Sequence, residues 1–504
     1  MMSIYISQKR GSSILHVSVF ALTLFAGLIL LSGQSRAQSP LYQYQLLTTF
    51  PYQNGIFAFG SLPEGDVVEI KTGIFVGTTS SGGPQPQFGQ CPVSSPGGGC
   101  GSIFELDTTT TPATLTLLWA FSGIPLCGGC LRDGAVPMGT IAWDGTFIYG
   151  TTTFGNDGCS NLGVCGTVYR FDPSTLAMTT IYEMDKLTSP VENPLAGVFY
   201  ANGHLYGTTN NGSGGSANGM VFEYTSPKTV AAGAPPDHVA TLDPGIYGSL
   251  PQTLNEYSDG NLYGIPFNAP GEVFQYNTAT HTVAPCFATA SSLHVGRIGF
   301  GSDGAMYVAN EVYPPVVFQF IPSNPPCSPP VSSTNLSSSA GPPGGAPGAG
   351  LLATSTGQLL GTLTGNEAGS NYSLSPSSVS PFGFYPIVNG NQGSRAELTE
   401  GSDGWIYGTD FQDFFQSPTG GDVYRFYLPP TQNVNQIGTL NIYDAGGPIA
   451  VDARPLVVPS TDQQTPGPFR VHAPCARGHG GPRVGRLRHQ RWQCLCGAFH
   501  DDHL

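Results

Sequence analysis

A short motif recurs seven times along this chain and restricts the kind of fold it can adopt. Each copy has two apolar residues, usually ending in Tyr, then a central residue that is Gly in six copies and Val in the seventh. The central residues stand at positions 77, 150, 207, 264, 308, 361 and 408, which are 44 to 73 residues apart. Self-similarity at this period indicates an array of structural units that stack on one another. The clearest copies contain Tyr149-Gly150, Tyr206-Gly207, Tyr263-Gly264 and Tyr407-Gly408.

A tight turn precedes the motif and a second strand follows it. Dipeptides such as Asp144-Gly145 and Asp403-Gly404 suit turns that need positive φ, so they predict a hairpin that contains the motif. After a glycine-rich stretch, apolar and polar residues alternate, as in Thr167–Phe171. Alternation with a period of two predicts a strand with one buried face. The same pattern predicts strands at 102–106, 220–224, 272–276, 316–320 and 422–426.

Composition supports an all-β protein. Only 10% of the residues are charged, and the chain contains 69 glycines and 44 prolines, which disfavours helices. Aromatic residues reach 11%, which argues against disorder. Seven units, each long enough for about four short strands, predict a β-propeller of seven or eight blades. A further unit is expected near residues 443–462, and a β-solenoid is the alternative architecture.

The repeat resembles a known bacterial family. The Tyr-Gly-Thr-Thr sequence, the preceding Asp-Gly and a following strand such as Thr167–Phe171 are similar to the GloVer tandem repeat of choice-of-anchor secreted proteins. The similarity covers roughly residues 40–430 and is clearest at 132–173, 192–224 and 395–426. The resemblance implies an exported repeat protein that is held at the bacterial cell surface by a C-terminal anchor. It brings no catalytic residues, and no anchor is recognisable in this chain.

The first 37 residues have the pattern of a secretory signal peptide. Lys9 and Arg10 precede an apolar run, and Ser35-Arg36-Ala37 resembles a cleavage site. An uncleaved membrane anchor is the alternative reading, because the apolar run is long. After cleavage no membrane span is expected, and we predict a secreted, periplasmic or cell-surface protein that is a monomer. Residues 38–469 contain nine basic and 30 acidic side chains, which makes nucleic-acid binding an unfavourable function.

Two segments differ from the repeat. The tail, residues 470–504, contains six arginines, five histidines and three cysteines and has no strand pattern. Its codons, read one nucleotide later, permit another copy of the repeat at 491–497, so a shifted reading frame is expected; a basic binding arm is the alternative. Residues 325–350, which are rich in Pro, Ser and Gly, are predicted to be a linker between blades.

The cysteines of the repeat region predict disulfides that join nearby parts of the chain. In an exported protein, cysteines that lie close in sequence form disulfides by default. The single Cys127-Gly-Gly-Cys130 has no thioredoxin-like context, and no set of four cysteines suits zinc. The expected pairs are Cys91 with Cys100, Cys127 with Cys130, Cys159 with Cys165, and Cys286 with Cys327.

Motifs for catalysis, cofactors or metals are not found in the sequence. The aspartates of the Asp-Gly turns are isolated, so a role in the turn is favoured over calcium binding. The motif tyrosines are expected in the core rather than stacked on sugars, and His204 is expected in solvent. The favoured hypothesis is a non-enzymatic propeller without a cofactor that binds an extracellular polymer or protein. A glycan hydrolase or lyase that uses carboxylates at the central channel is the alternative, and it requires acids that converge there in unlike environments.

Overall fold

The structure is a computed structural model. It describes residues 42–428, 484–487 and 490–493. Within the first range it does not describe residues 54–55, 86–88, 92–97, 126–132, 156–164, 185–190, 213–218, 248, 269–271, 289–293, 322–326, 328–331, 338–344, 365–369, 377–381, 387–392 and 412–418. The predicted signal peptide, the further unit at 443–462 and most of the tail lie outside the described residues. No helix among the described residues is long and apolar enough to cross a membrane.

The described residues form β-strands and turns. The strands are β1 (Gln43–Gln53), β2 (Ile56–Phe57), β3 (Val67–Lys71), β4 (Ile74–Thr79), β5 (Gly89–Gln90), β6 (Ser102–Asp107), β7 (Thr114–Ala120), β8 (Ile124–Pro125), β9 (Ala142–Trp143), β10 (Ile148–Thr152), β11 (Thr167–Asp172), β12 (Ala177–Glu183), β13 (Val191–Glu192), β14 (Val198–Ala201), β15 (His204–Thr209), β16 (Asn211–Gly212), β17 (Gly219–Tyr224), β18 (His238–Leu242), β19 (Asn255–Glu256), β20 (Leu262–Gly264), β21 (Glu272–Asn277), β22 (Thr282–Ala288), β23 (His294–Phe300), β24 (Met306–Asn310), β25 (Val316–Ile321), β26 (Ser332–Ser337), β27 (Ala346–Pro347), β28 (Leu352–Ala353), β29 (Leu359–Thr364), β30 (Ser370–Leu374), β31 (Phe382–Pro386), β32 (Thr399–Glu400), β33 (Ile406–Asp410), β34 (Thr419–Tyr427), β35 (Val484–Leu487) and β36 (Gln490–Gln493).

Seven antiparallel sheets of four or five strands make a seven-bladed β-propeller. Blades 1 to 6 are β3-β4-β6-β7, β9 to β12, β14-β15-β17-β18, β19 to β22, β23 to β26, and β27 to β31. Blade 7 combines β32, β33 and β34 with β1, the first strand among the described residues. The N-terminal strand therefore closes the ring, which also explains why seven motifs give seven blades. The solenoid alternative is wrong.

Adjacent blades share a core at each of the seven junctions. Among the described residues, each of seven clusters of buried side chains combines residues of two neighbouring blades. The cluster between blades 7 and 1, for example, packs Tyr407 and Val423 against Phe75 and Phe104. This arrangement buries both faces of every small sheet, which a single sheet of this size does not achieve alone.

The motif residues hold the blades together. The motif tyrosine is buried and donates a hydrogen bond to the Asp of the preceding turn, as in Tyr263 to Asp259 (2.8 Å) and Tyr407 to Asp403 (2.9 Å). The Thr after the glycine donates to a carbonyl of the segment that enters the next blade, as Thr409 does to Pro63 O (3.1 Å). These contacts confirm that the tyrosines belong to the core and the aspartates to the turns.

The motif glycine is required by an aromatic ring of the adjacent strand. A Cβ at Gly264 would lie 2.5 Å from Cζ of Phe274 and 2.9 Å from Cδ2 of Leu254. The same relation holds at Gly150 with Tyr169. A ring within the same blade therefore occupies the space that a side chain at the motif glycine would need.

The two ends of the propeller differ. Because each blade is an antiparallel meander, the turns from first to second and from third to fourth strand share one end, which we call the turn end. The remaining connections form the loop end.

Residues 325–350 are not only a linker, because Ser332–Ser337 form the outer strand of blade 5. In the second compact unit, residues 431–504, the described segments β35 and β36 pair as a hairpin, which the sequence pattern did not predict.

The disulfides follow the predicted pairing where the structure describes both cysteines. Cys91 pairs with Cys100 and Cys286 with Cys327. Cys165 is also disulfide-bonded. Cys159, its predicted partner, and the predicted pair Cys127 and Cys130 lie outside the described residues.

Candidate functional site at the propeller axis

One residue of each blade lies at the loop end, directly before a buried aliphatic residue that belongs to the innermost strand or immediately precedes it. The aliphatic residues are Val67, Ile141, Val198, Leu254, Ile298, Leu351 and Leu398, and all are buried. The residues before them, which we call the axial ring, are Asp66, Thr140, Gly197, Thr253, Arg297, Gly350 and Glu397. Four of these positions carry Gly or Thr, so the three charged residues are the exceptions.

Hydrogen bonds connect the ring segments of neighbouring blades. Between blades 2 and 3, Val198 N donates to Thr140 O (3.1 Å), and between blades 3 and 4 the Thr253 hydroxyl donates to Ala196 O (2.7 Å). Between blades 7 and 1, the Thr399 hydroxyl donates to Val67 O (2.5 Å). The ring segments therefore surround the axis closely, and charged side chains in the ring are near one another although they are distant in sequence.

Arg297 and Glu397 form an ion pair within the ring. Glu397 Oε1 accepts a hydrogen bond from Arg297 N (2.7 Å), and its Oε2 lies 2.9 Å from Arg297 Nε. Arg297 belongs to blade 5 and Glu397 to blade 7, so the ion pair spans the position of the ring residue of blade 6. That residue is Gly350, where a Cβ would lie 2.9 Å from Glu397 Oε1. The missing side chain at Gly350 makes the pair possible.

Asp66 has a different environment from Glu397. It is 8% exposed, and its carboxylate accepts a long hydrogen bond from Ile141 N (3.4 Å). None of the ion pairs formed among the described residues includes Asp66. Burial, and to a lesser degree the charge of Glu397, raise the pKa of Asp66 to about 7, although the charge of Arg297 and backbone hydrogen bonds lower it. The ring thus holds one carboxylate paired with a guanidinium and one without such a partner.

The rim of the site consists of residues two positions before the ring. We call four of these seven residues the rim, namely Glu64, Met138, Leu195 and Arg395; the other three are Pro251, Val295 and Gly348. Arg395 has 55% of its side chain exposed, and its Nη1 lies 3.9 Å from Glu64 Oε1. Leu195 is 36% exposed. Burial raises the pKa of Glu64, whereas a hydrogen bond from Ser80 and the charge of Arg395 lower it. The rim is therefore more accessible than the ring and is partly apolar.

Blade 3 contains a second cluster of ionisable groups, at the turn end. Glu223 is fully buried and lies close to Tyr276 Oη (2.5 Å), His204 Nδ1 (2.6 Å) and His281 Nδ1 (2.8 Å). Burial acts to raise the pKa of Glu223, but the hydrogen bonds from these three side chains lower it overall. His204 is partly exposed, as expected, but it is also a partner of a buried acid, which the sequence analysis missed.

This second cluster is a structural contact between blades 3 and 4. In other blades the motif tyrosine bonds to an Asp of the turn, but blade 3 has Asn202 at that position. Glu223 belongs to blade 3, while Tyr276 and His281 belong to blade 4. Three side chains contact its carboxylate, which leaves little capacity for a ligand.

The residues selected from the sequence and the axial ring are thus separate sets. The motif tyrosines, the motif glycines and the described cysteines build the scaffold. The ring and the rim were not predicted, although one signal exists: charged residues replace Gly or Thr before the innermost strand in three of seven blades. Across the described residues, no group of three or more His, Cys, Asp or Glu side chains is arranged to hold a metal ion.

Comparisons with known proteins show similarity in fold only. No protein-family model and no curated protein matches the chain. A streptogramin B lyase structure matches with a TM-score of 0.48 and 13% identity, over 76% of this chain and 97% of that chain. The extracellular domain of a protein described as a hybrid two-component system from B. thetaiotaomicron matches with a TM-score of 0.46 and 14% identity, over 82% of this chain. This chain covers 46% of that second structure. Identities this low say nothing about activity or ligand.

Proposed function

We propose that this chain is an exported β-propeller that binds an extracellular polymer or protein at its axial ring and rim, without catalysing a reaction. One observation carries the proposal: the ring concentrates Asp66, Arg297 and Glu397 at positions where the other blades have Gly or Thr. Buried charges destabilise a fold unless they are paired, so a buried acid without its own cation is typical of a functional site.

The scaffold supports this assignment because it uses its own polar residues internally. The motif tyrosine bonds to the turn aspartate, and the motif threonine bonds to the next blade, as described for Tyr263 and Thr409. The hydroxyl protons of these residues are therefore used within the scaffold. The charged residues of the ring and the rim, in contrast, stand at positions where other blades carry Gly or Thr or an apolar residue.

Export is part of the proposal. Disulfides such as Cys91–Cys100 and Cys286–Cys327 form in oxidising compartments and are rare in the cytosol. The signal-like residues 1–37 and the resemblance to the GloVer repeat agree with a periplasmic, surface-held or secreted protein. The acidic body makes nucleic acids and anionic lipids poor ligands.

A second candidate function is cleavage of a glycan by the axial carboxylates. The convergence required for it is partly met, because Asp66 and Glu397 share the ring in unlike environments. Binding is favoured because both oxygens of Glu397 contact Arg297, so this carboxylate is poorly placed to act as a nucleophile or base.

The experiment compares rim variants with a matched control. Leu195→Ser and Arg395→Ala change exposed residues of the rim, and Leu176→Ser changes a leucine at the turn end that is 48% exposed. The full chain is tested against immobilised polysaccharides and extracellular proteins, and the supernatant is analysed for reducing ends and unsaturated sugars. We expect a bound polymer without products, weakened about ten-fold or more by the rim variants and not by the control.

The other outcomes are also informative. Products that disappear in Asp66→Asn would support the second candidate instead. Binding that is lost equally in Leu176→Ser, or in none of the variants, would place the interaction elsewhere and contradict the proposal.

A further inference from the structure

We propose that the axial ring receives the ammonium group of a lysine side chain from a partner polypeptide. This inference rests on the proposed function, because it names the ligand chemistry of the same site. It depends on three features of the ring and rim: the balance of charge, the depth of Asp66, and the guanidinium that is already present.

The charges at the site leave one negative charge unmatched. Three carboxylates, of Glu64, Asp66 and Glu397, accompany two guanidiniums, of Arg297 and Arg395. Arg297 pairs with Glu397 at 2.9 Å and Arg395 approaches Glu64 at 3.9 Å. A single additional cation next to Asp66 would neutralise the site. It would also compensate the burial of a carboxylate that is 8% exposed.

The depth of Asp66 favours a cation on a flexible stem. Asp66 is 8% exposed, whereas Arg395 of the rim has 55% of its side chain exposed. The two residues of chain that separate each rim position from the ring span at most about 7 Å. Lysine carries its ammonium on a four-carbon stem, and that stem packs well along apolar surface. Met138 and the exposed Leu195 supply such surface at the rim. An amino group attached directly to a sugar ring lacks this reach.

The existing guanidinium favours ammonium over a second arginine. Arg297 lies within the ring, and its charge is close enough to lower the pKa of Asp66. A compact ammonium needs less space beside it than a planar guanidinium, and it can distribute three donors between the Asp66 carboxylate and nearby carbonyl oxygens. The acidic body, with 30 acidic and nine basic side chains in residues 38–469, would attract a lysine-rich partner at long range.

The test uses short peptides with blocked ends that differ at one residue. A central lysine is compared with acetyl-lysine and with arginine in the same glycine-rich sequence, by calorimetric titration of the full chain. We expect the lysine peptide to bind about ten-fold or more tightly than the acetyl-lysine peptide. The preference should increase as the pH rises from 6 to 8, because more Asp66 becomes ionised.

Two variants locate the effect. Asp66→Asn removes the charge and keeps the shape, so the lysine and acetyl-lysine peptides should bind it equally. Asp303→Asn removes a carboxylate from the turn end, where Asp303 accepts a hydrogen bond from Tyr307, and it should keep the preference of the wild type. Circular dichroism establishes that both variants are folded.

The outcomes separate this inference from the proposed function. Equal binding of the lysine and acetyl-lysine peptides by the wild type, equal binding of the arginine peptide, or a preference that survives in Asp66→Asn would each overturn the lysine assignment. If the lysine assignment fails while Leu195→Ser still weakens binding of a polymer, the proposed function stands without it. If the rim variants also have no effect, both fail.

Discussion

Replacing Asp66 with Asn should stabilise this protein at neutral and alkaline pH. In the folded protein, burial raises the pKa of Asp66 from 3.8 to about 7. One pKa unit corresponds to about 1.4 kcal/mol, so the ionised carboxylate destabilises the fold by at most about 4 kcal/mol. Asparagine cannot ionise and has nearly the same shape. Part of the gain is offset because the buried amide also needs hydrogen-bond partners.

The size of the stabilisation by Asp66→Asn depends on pH. Well below the unfolded-state pKa of 3.8, Asp66 is protonated in both the folded and the unfolded chain, so the ionisation of Asp66 should make no difference between the wild type and Asp66→Asn. Between pH 4 and 7 the unfolded chain loses this proton first, so wild-type stability falls with rising pH. Above pH 7 the difference between the two proteins should be constant. For about 390 folded residues, it corresponds to a few degrees in melting temperature.

The assay is thermal unfolding of both proteins at pH 4.5 and pH 8, at one scan rate, followed by tryptophan fluorescence. Asp107→Asn is the control, because hydrogen bonds from Thr109 lower the pKa of this exposed aspartate. Its replacement should give no stabilisation at pH 8. The reasoning about the axial ring is refuted if Asp66→Asn is less stable than the wild type at pH 8, or if the difference between them is the same at both pH values.

Three further predictions concern the scaffold. Gly264→Ala should lower stability by about 1–3 kcal/mol, measured by denaturant unfolding, because its Cβ would overlap the ring of Phe274; an unchanged midpoint would contradict this packing. Glu223→Gln should destabilise the fold by about 2–3 kcal/mol at pH 7, and by less at acidic pH below the lowered pKa of Glu223, where the wild-type carboxylate is protonated; a loss independent of pH would argue against the ionised form. Cys286→Ser should lower the melting temperature more than Cys91→Ser. The disulfide Cys286–Cys327 closes a loop of 41 residues, whereas Cys91–Cys100 closes a loop of 9, so loop entropy makes the longer-range disulfide more stabilising by about 1 kcal/mol.

The strands and the propeller were predictable because their pattern is local and repeated. The alternation in 272–276, for instance, corresponds to the strand Glu272–Asn277. The number of blades was less certain, because the closing strand Gln43–Gln53 belongs to the first part of the chain and carries no motif. Pairing between the two ends of a chain leaves no trace in a local pattern. The same limit applies to the motif glycine, whose neighbour Phe274 is on another strand.

The axial ring was not predicted because its contacts join residues that are far apart in sequence. Arg297 and Glu397 are 100 residues apart, and Ile141 is 75 residues from Asp66. Each of these residues is unremarkable in its own segment. Only closure of the propeller brings these segments of different blades to one axis. The charged residues therefore stand out only after the blades have been aligned on the buried aliphatic residue that follows each residue of the axial ring.

A departure from the repeat is therefore not sufficient evidence of function. Comparison of the two ionisable clusters shows that the effect of the buried charge on stability must also be considered. Glu223 also differs from most blades, since arginine or glutamine occupies its place in blades 2, 4, 5 and 7, although blade 1 has Glu105 there. Yet Glu223 is surrounded by hydrogen-bond donors, and its lowered pKa means that its charge stabilises the fold at neutral pH. Asp66 is buried to a similar degree, but its charge has the opposite effect. A buried charge that destabilises its own protein marks a candidate functional site, and the use that we propose for Asp66 is the binding of a cation.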